Sequence, residues 1–143
     1  PWGLGFCYDP QLFDKWEIPL LDNAKVLGIN CGLGSNSLKV KEILREKGAE
    51  HVILYNATQE ERFLEDLKGV SDKAFFCDEL SDIVANTGVK KYNYVVVEGK
   101  LLNSHGRMVQ EMLKEAGILY DELAVRVSET SWQIVKADKE KSL

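Results

Sequence analysis

An open α/β sheet, mostly parallel and twisted, with helices on both faces and an antiparallel hairpin at its C-terminal end, is the architecture this sequence predicts. Three observations carry that expectation. Four short apolar runs, at residues 25–30, 51–55, 73–77 and 92–97, alternate with stretches of helical spacing. Parallel neighbours need a crossover, and helices supply it. The runs are apolar almost throughout, as strands covered on both faces are. Two last runs, 119–127 and 132–137, flank a polar 128–131 segment and read as a hairpin.

The elements follow in order. Residues 1–23 are irregular, with Gly3, Gly5, Pro10 and Pro19 punctuating Trp2, Phe6, Tyr8, Phe13 and Trp16. They predict an aromatic flap with one short helix over 11–16, ahead of a sheet domain over 24–143. The first strand, 25–30, runs into a glycine-rich turn. Ser35 or Asn36 is placed to cap the next helix, in which Val40, Ile43, Leu44 and Lys47 share helical spacing and Gly48 marks the stop. The second strand closes at Asn56 and is followed by an amphipathic helix over 59–67. The third closes at Asp78-Glu79, with a helix over 80–85. The fourth, 92–97, closes at Glu98-Gly99. Met108, Val109, Met112, Leu113 and Ala116 then mark a longer helix, with both methionines expected in the core.

Composition narrows the function classes. The chain has 143 residues, enough for one domain, and 18 Lys and Arg against 23 Asp and Glu leave a net charge of −5. No basic block stands out, which disfavours nucleic-acid binding through charge alone. Cys7, Cys31 and Cys77 form no Cys-x-x-Cys pair, and His51 and His105 are far apart, so neither a disulfide framework nor a metal site is expected. The longest apolar runs fall well short of the ~18 residues of a membrane span. Pro1-Trp2-Gly3 has neither the charged start nor the apolar stretch of a signal peptide. A cytoplasmic, reducing environment is the expectation, and the lack of an initiating Met suggests a fragment or a processed chain.

Chemistry is sought outside the carboxyl ends of the strands, where open α/β sheets bind ligands. The strongest local pattern is Val26-Leu-Gly-Ile-Asn-Cys-Gly-Leu-Gly-Ser-Asn-Ser37. A strand ends, Gly32 and Gly34 let the backbone turn and approach a ligand, and a helix begins. This Cys-Gly-Leu-Gly loop after a Val-Leu strand resembles the first motif of class I, Rossmann-like S-adenosylmethionine-dependent methyltransferases. The resemblance extends over 24–137, with the loop as its specific part. The family's acidic strand residue is Gly28 here, and its first glycine is Asn30. The resemblance implies S-adenosylmethionine as cofactor, with Asn30, Gly32, Gly34 and Ser35 around its methionine part, Asn56 at the ribose, and Asp78 and Glu79 near the adenine. It implies Glu98 beside the transferable methyl; His105, in a loop on the same side, is a candidate general base, and Glu98, Asn103 or His105 would line the methyl-acceptor side. The sulfonium is already electrophilic, so the protein need only align a nucleophile and remove a proton.

Plainer readings stand beside these. Asn56 suits a turn, Asp78 suits a helix cap, Cys31 and Cys77 suit buried small hydrophobes, and His51 suits a structural strand start. Residues 90–99 are either the fourth or the fifth strand of the family's sheet. Gly28-x-x-x-Gly32-x-Gly34 also resembles the nucleotide loop of short-chain dehydrogenases, which implies NAD(P), but no Tyr-x-x-x-Lys pair follows the fourth strand. The readings in order are a methyltransferase acting on a small molecule or protein, a catalytically inactive methyltransferase-like subunit or ligand-binding protein, and an NAD(P)-binding protein. The flap and the edge hairpin would support homo- or hetero-oligomers.

Overall fold

The computed structural model describes residues 8–99 and 106–137. In chain order the elements are α1 (Pro10–Phe13), β1 (Asn23–Ile29), α2 (Ser35–Glu46), β2 (His51–Thr58), a 3-10 turn (Glu61–Phe63), α3 (Leu64–Val70), β3 (Lys73–Phe76), α4 (Asp82–Thr87), β4 (Lys91–Val97), α5 (Gly106–Glu115), β5 (Leu119–Ser128) and β6 (Ser131–Lys136). One six-stranded sheet results, in the order β3-β2-β1-β4-β5-β6. The first five strands run parallel, and β6 returns antiparallel to β5. Residues 91–97 are therefore the fourth strand, paired directly with β1 through Val26↔Tyr94 to Ile29↔Val97.

Alternation along each strand divides the core into two. Leu27, Ile29, Val95 and Val97 face α4 and α5, where they meet Ile83, Val109 and Leu113. Val26, Tyr94, Val96 and Ala124 face α1 and α2, where they meet Leu12, Trp16, Val40 and Leu44. Each such aliphatic side chain, fully buried, contributes about 1.5–3 kcal/mol relative to exposure.

Residues 8–22, within the expected irregular aromatic flap, pack as part of the second core: Leu12, Trp16 and Ile18 are buried, Trp16 Nε1 donates to Glu122 Oε1 at 3.0 Å, and Tyr94 OH donates to Pro19 O at 2.6 Å. Two local expectations change. The first helix covers Pro10–Phe13 instead of 11–16, with Asp9 as its N-cap and Asp14 as its C-cap. Met108 is 48% exposed. Val109 and Leu113, one helical turn apart, take the sheet-facing stripe instead, and Met112 packs at its margin.

Candidate functional site

The carboxyl ends of the strands form a row held by the last rungs of the ladder. Asn30 N donates to Ala57 O at 2.9 Å, Glu98 N to Ile29 O at 3.0 Å, and Cys77 N to Thr58 O at 2.9 Å. The register Val97↔Val125 sets Arg126 beside Glu98. On the α2 face of this row lies a cavity of about 480 Å³. It is lined by the β1–α2 loop, by Glu98, Gly99 and Arg126 at the strand ends, and by Tyr8 and Asp9 ahead of α1. Asp9 is clamped there, its N–H donating to Asn36 Oδ1 at 2.8 Å and its Oδ2 accepting from Trp132 Nε1 at 2.9 Å.

The loop owes its path to left-handed backbone at Asn30, Gly32 and Gly34, with φ of 56°, 58° and 87°. Gly34 is itself the N-cap of α2, and its carbonyl accepts from Leu38 N at 2.9 Å. Ser35 and Asn36 therefore sit inside the first turn instead of capping it, which turns both toward the cavity. The two glycines serve different ends. A Cβ on Gly32 would meet nothing within 4 Å, so this position is open toward a ligand, whereas one on Gly34 would approach Leu67 and Val70 of α3 to 2.9 Å. Asn30 tolerates its conformation because its side chain is held twice: Nδ2 donates to Gln59 Oε1 at 2.8 Å, and Oδ1 accepts from Gln59 N at 2.8 Å.

Glu98 directly follows β4 and lines the cavity, 7% exposed. Its Oε1 accepts from Arg126 Nη1 at 3.3 Å. Its Oε2 and Arg126 Nε are buried with no hydrogen-bond partner. Burial pushes the Glu98 carboxyl above its ordinary range, opposed by the nearby Asn36 and Cys31 side chains and by the Arg126 cation. Cys31 lies against it, its thiol pushed well up by burial first and by the Glu98 charge second, which disfavours the thiolate form.

The sequence-named residues do not all meet in one place. Asn30, Gly32, Ser35 and Glu98 line the cavity. Asn56 does not: it is fully buried, its Oδ1 accepting from Ser37 Oγ at 2.9 Å and its Nδ2 donating to Ser71 Oγ at 2.8 Å. It fills the space left by the missing side chain of Gly28, where a Cβ would collide with its Oδ1. Asp78 and Glu79 line a second cavity, of about 390 Å³, between the β3 end and α5. Between the two cavities stands Gln59, whose Nε2 donates to Asp78 O at 2.9 Å while its other groups hold Asn30. Cys77 is buried, and its thiol is raised to about 11 by burial, then by Asp82 and Asp78. His105 and Asn103, and Cys7 with them, lie outside the described residues.

Arg126 and Gln59 are among the residues of the site that sequence reasoning did not mark. Arg126 carried a usable signal, as a lone charge in the apolar alternation Ala124-Val-Arg-Val127 near a strand's carboxyl end. Gln59 carried none, because its importance lies in bridging two loops. Among the described residues no cluster suited to a metal ion occurs, and no helix is long and apolar enough to cross a membrane.

No protein-family model matches the sequence, and no curated protein matches it. Solved structures do match. PKMT2 from Rickettsia typhi, in complex with AdoHcy, superposes with a TM-score of 0.52 and 21% identity, over 85% of this chain and 25% of that one. A chain of a fibrillarin/Nop5p complex gives a TM-score of 0.52 and 14% identity, over 79% of this chain and 54% of its own. The present chain thus spans about a quarter of the first and about half of the second. With the strand order above, these likenesses show that the chain has the Rossmann-like fold of the class I S-adenosylmethionine-dependent methyltransferases.

Proposed function

We propose that the chain binds S-adenosylmethionine at the carboxyl edge of its sheet and acts as a methyltransferase on a small molecule or a protein. The carrying observation is the β1–α2 loop: Gly32 opens it toward the 480 Å³ cavity that Glu98 enters from β4. The fit is good at the amino-acid end of the cofactor. Gly32, Ser35 and the backbone at the start of α2 present N–H groups and a hydroxyl, which suit a carboxylate at a helix N-terminus. When bound, the cofactor supplies an electrophilic methyl group. The chain's own part is to hold that end still, to exclude water beneath Tyr8 and Asp9, and to take a proton at Glu98.

One observation favours a second reading, a ligand-binding or non-catalytic subunit. Asn56, which the resemblance places at the ribose, is turned inward with both ends of its amide bonded to serines, and Gln59 spans the gap between the two cavities, so the end of β2 does not present that side chain to a ribose diol. Isothermal titration with S-adenosylmethionine, S-adenosylhomocysteine and NAD(P)H separates these readings. The expected result is micromolar binding of the first two and none of the dinucleotide, weakened at least tenfold in Gly32→Val, whose side chain would project into the open side of the loop. Binding of the dinucleotide alone, or of none of the three, overturns the proposal.

A further inference from the structure

We infer that the group presented to Glu98 is an amine, protonated in water, and not an acid, a phosphate or a phenolate. The inference rests on the methyl-transfer reading above and names its acceptor class. Among the described residues lining the 480 Å³ cavity, the charged ones are Asp9, Glu60, Glu98 and Arg126. Three are acidic and one is basic.

The disposition of these charges matters more than their sum. Asp9 is occupied on both oxygens, by Gln11 N at 2.9 Å and Trp132 Nε1 at 2.9 Å. Glu60 pairs with Arg62 at 3.3 Å. Arg126 spends Nη1 on Glu98 and Nη2 on Glu129 O at 2.8 Å, and its guanidinium lies over the Trp132 ring at 5.7 Å. Among the described residues an incoming anion would therefore find one cation, with Nη1 and Nη2 committed and only the buried Nε left over, inside a wall of net negative charge. An incoming donor finds the opposite. Glu98 Oε2 has no partner, on a residue 7% exposed. A buried carboxylate oxygen left unpaired is costly, and an ammonium brings both the missing donor and the balancing charge. Tyr8, Leu33 and Phe63, on the same walls, suit the apolar body behind it.

The step balances without a further reagent. The ammonium gives one proton to Glu98 Oε2. The lone pair so released forms the nitrogen–carbon bond to the methyl group, while the sulfur–methyl bond breaks and its electron pair stays on sulfur. The product nitrogen is again cationic, the sulfur is neutral, and the proton on Glu98 leaves to solvent.

Phenethylamine and 3-phenylpropionate, matched in ring and near-matched in chain length, are suitable probes. Each is titrated at pH 7 into the ¹⁵N-labelled chain, alone and saturated with S-adenosylhomocysteine, with amide shifts of Glu98, Gly99 and Arg126 as the readout. The expected result is that the amine shifts these signals at a concentration at least tenfold below the acid, with the homocysteine compound bound, and that Glu98→Gln removes the preference. Equal or tighter binding of the acid overturns the inference, as does silence from both probes in the wild type, which needs no variant to fold. Displacement of the amine by S-adenosylhomocysteine also overturns it, since the amine would then occupy the cofactor's own amino group position. Failure of S-adenosylhomocysteine to bind at all sinks the methyl-transfer reading instead, and the unsaturated titration still decides the cavity's preference for amine over acid.

Discussion

Gly28 and Asn56 are partners in register, and they behave as one unit. The amide of Asn56 lies where a Gly28 side chain would be, and it is fixed by Ser37 and Ser71. Removing the amide in Asn56→Ala breaks its bonds to the buried Ser37 and half-buried Ser71 hydroxyls and should cost about 1–3 kcal/mol. Adding a methyl in Gly28→Ala should cost about 1–3 kcal/mol by overpacking. In the double variant the collision with the amide is relieved while Ser37 Cβ and Oγ, at 2.8 and 2.9 Å, still crowd the methyl, so the costs should fall short of additive by about 0.5–3 kcal/mol. Urea denaturation of the four proteins measures this, and strict additivity would show that the contact is unimportant. Glu98 supplies a second prediction at the same scale. Its folded-state carboxyl titrates above 4.5, its ordinary value. The stability this provides is complete below that value and is lost as pH rises through the folded one. The melting temperature of Glu98→Gln, followed against pH, should lack the decline that the wild type shows across that window.

At the scale of elements, the segment before β1 is the informative case. Its aromatic residues and prolines read as a flap, yet Leu12, Trp16 and Ile18 are buried against Val26, Tyr94 and Trp132. A four-residue helix has too few turns for periodicity to mark its buried side, so its docking was not legible locally. Leu12→Ala should therefore destabilise the chain by about 2–5 kcal/mol, as a core truncation does. A detached flap would leave the urea midpoint unchanged. The strands were easier to read. β1, β3 and β4 lie within two residues of their sequence expectation and β2 runs three residues past its expected end at 55, because sheets covered on both faces demand continuous apolar runs. The helix expected over 59–67 became a 3-10 turn followed by α3, shifted toward the chain's C-terminus. Thr58 and Gln59 were needed at the end of β2, where their hydrogen bonds hold the turn and the neighbouring loops.

For the whole molecule, Asp72 joins three separate parts. Its Oδ2 accepts from Leu54 N in β2 at 2.7 Å and from Lys41 Nζ in α2 at 2.9 Å, while Asp72 itself leads into β3. Burial works against its ionisation, but the Leu54 N–H and the Lys41 ammonium outweigh it and hold the carboxyl below 3.8, its ordinary value. The linkage sign is opposite to that of Glu98: this stability is present above 3.8 and is lost as pH falls through the folded value. Acid unfolding should begin at higher pH in a chain lacking that tie, so Asp72→Asn should be less stable at pH 6 and should show a flatter melting curve against pH below 4. A parallel acid limb in both proteins would remove Asp72 from the account.

The sequence by itself determined the layers, the parallel order of the first strands, the closing hairpin and the glycine loop at the strand ends. Those features follow from hydrophobic period, turn chemistry and the need for a crossover, all of which act over a few neighbouring residues. Only the tertiary structure decided that Asn56 turns inward, that Gln59 ties Asn30 to Asp78, and that Arg126 meets Glu98 with one oxygen and one nitrogen left over. These outcomes depend on what stands across the sheet, 15 to 29 positions away in the chain for the hydrogen bonds concerned. A side chain's direction there is settled by the space and the partners that other strands leave, and no local pattern records them.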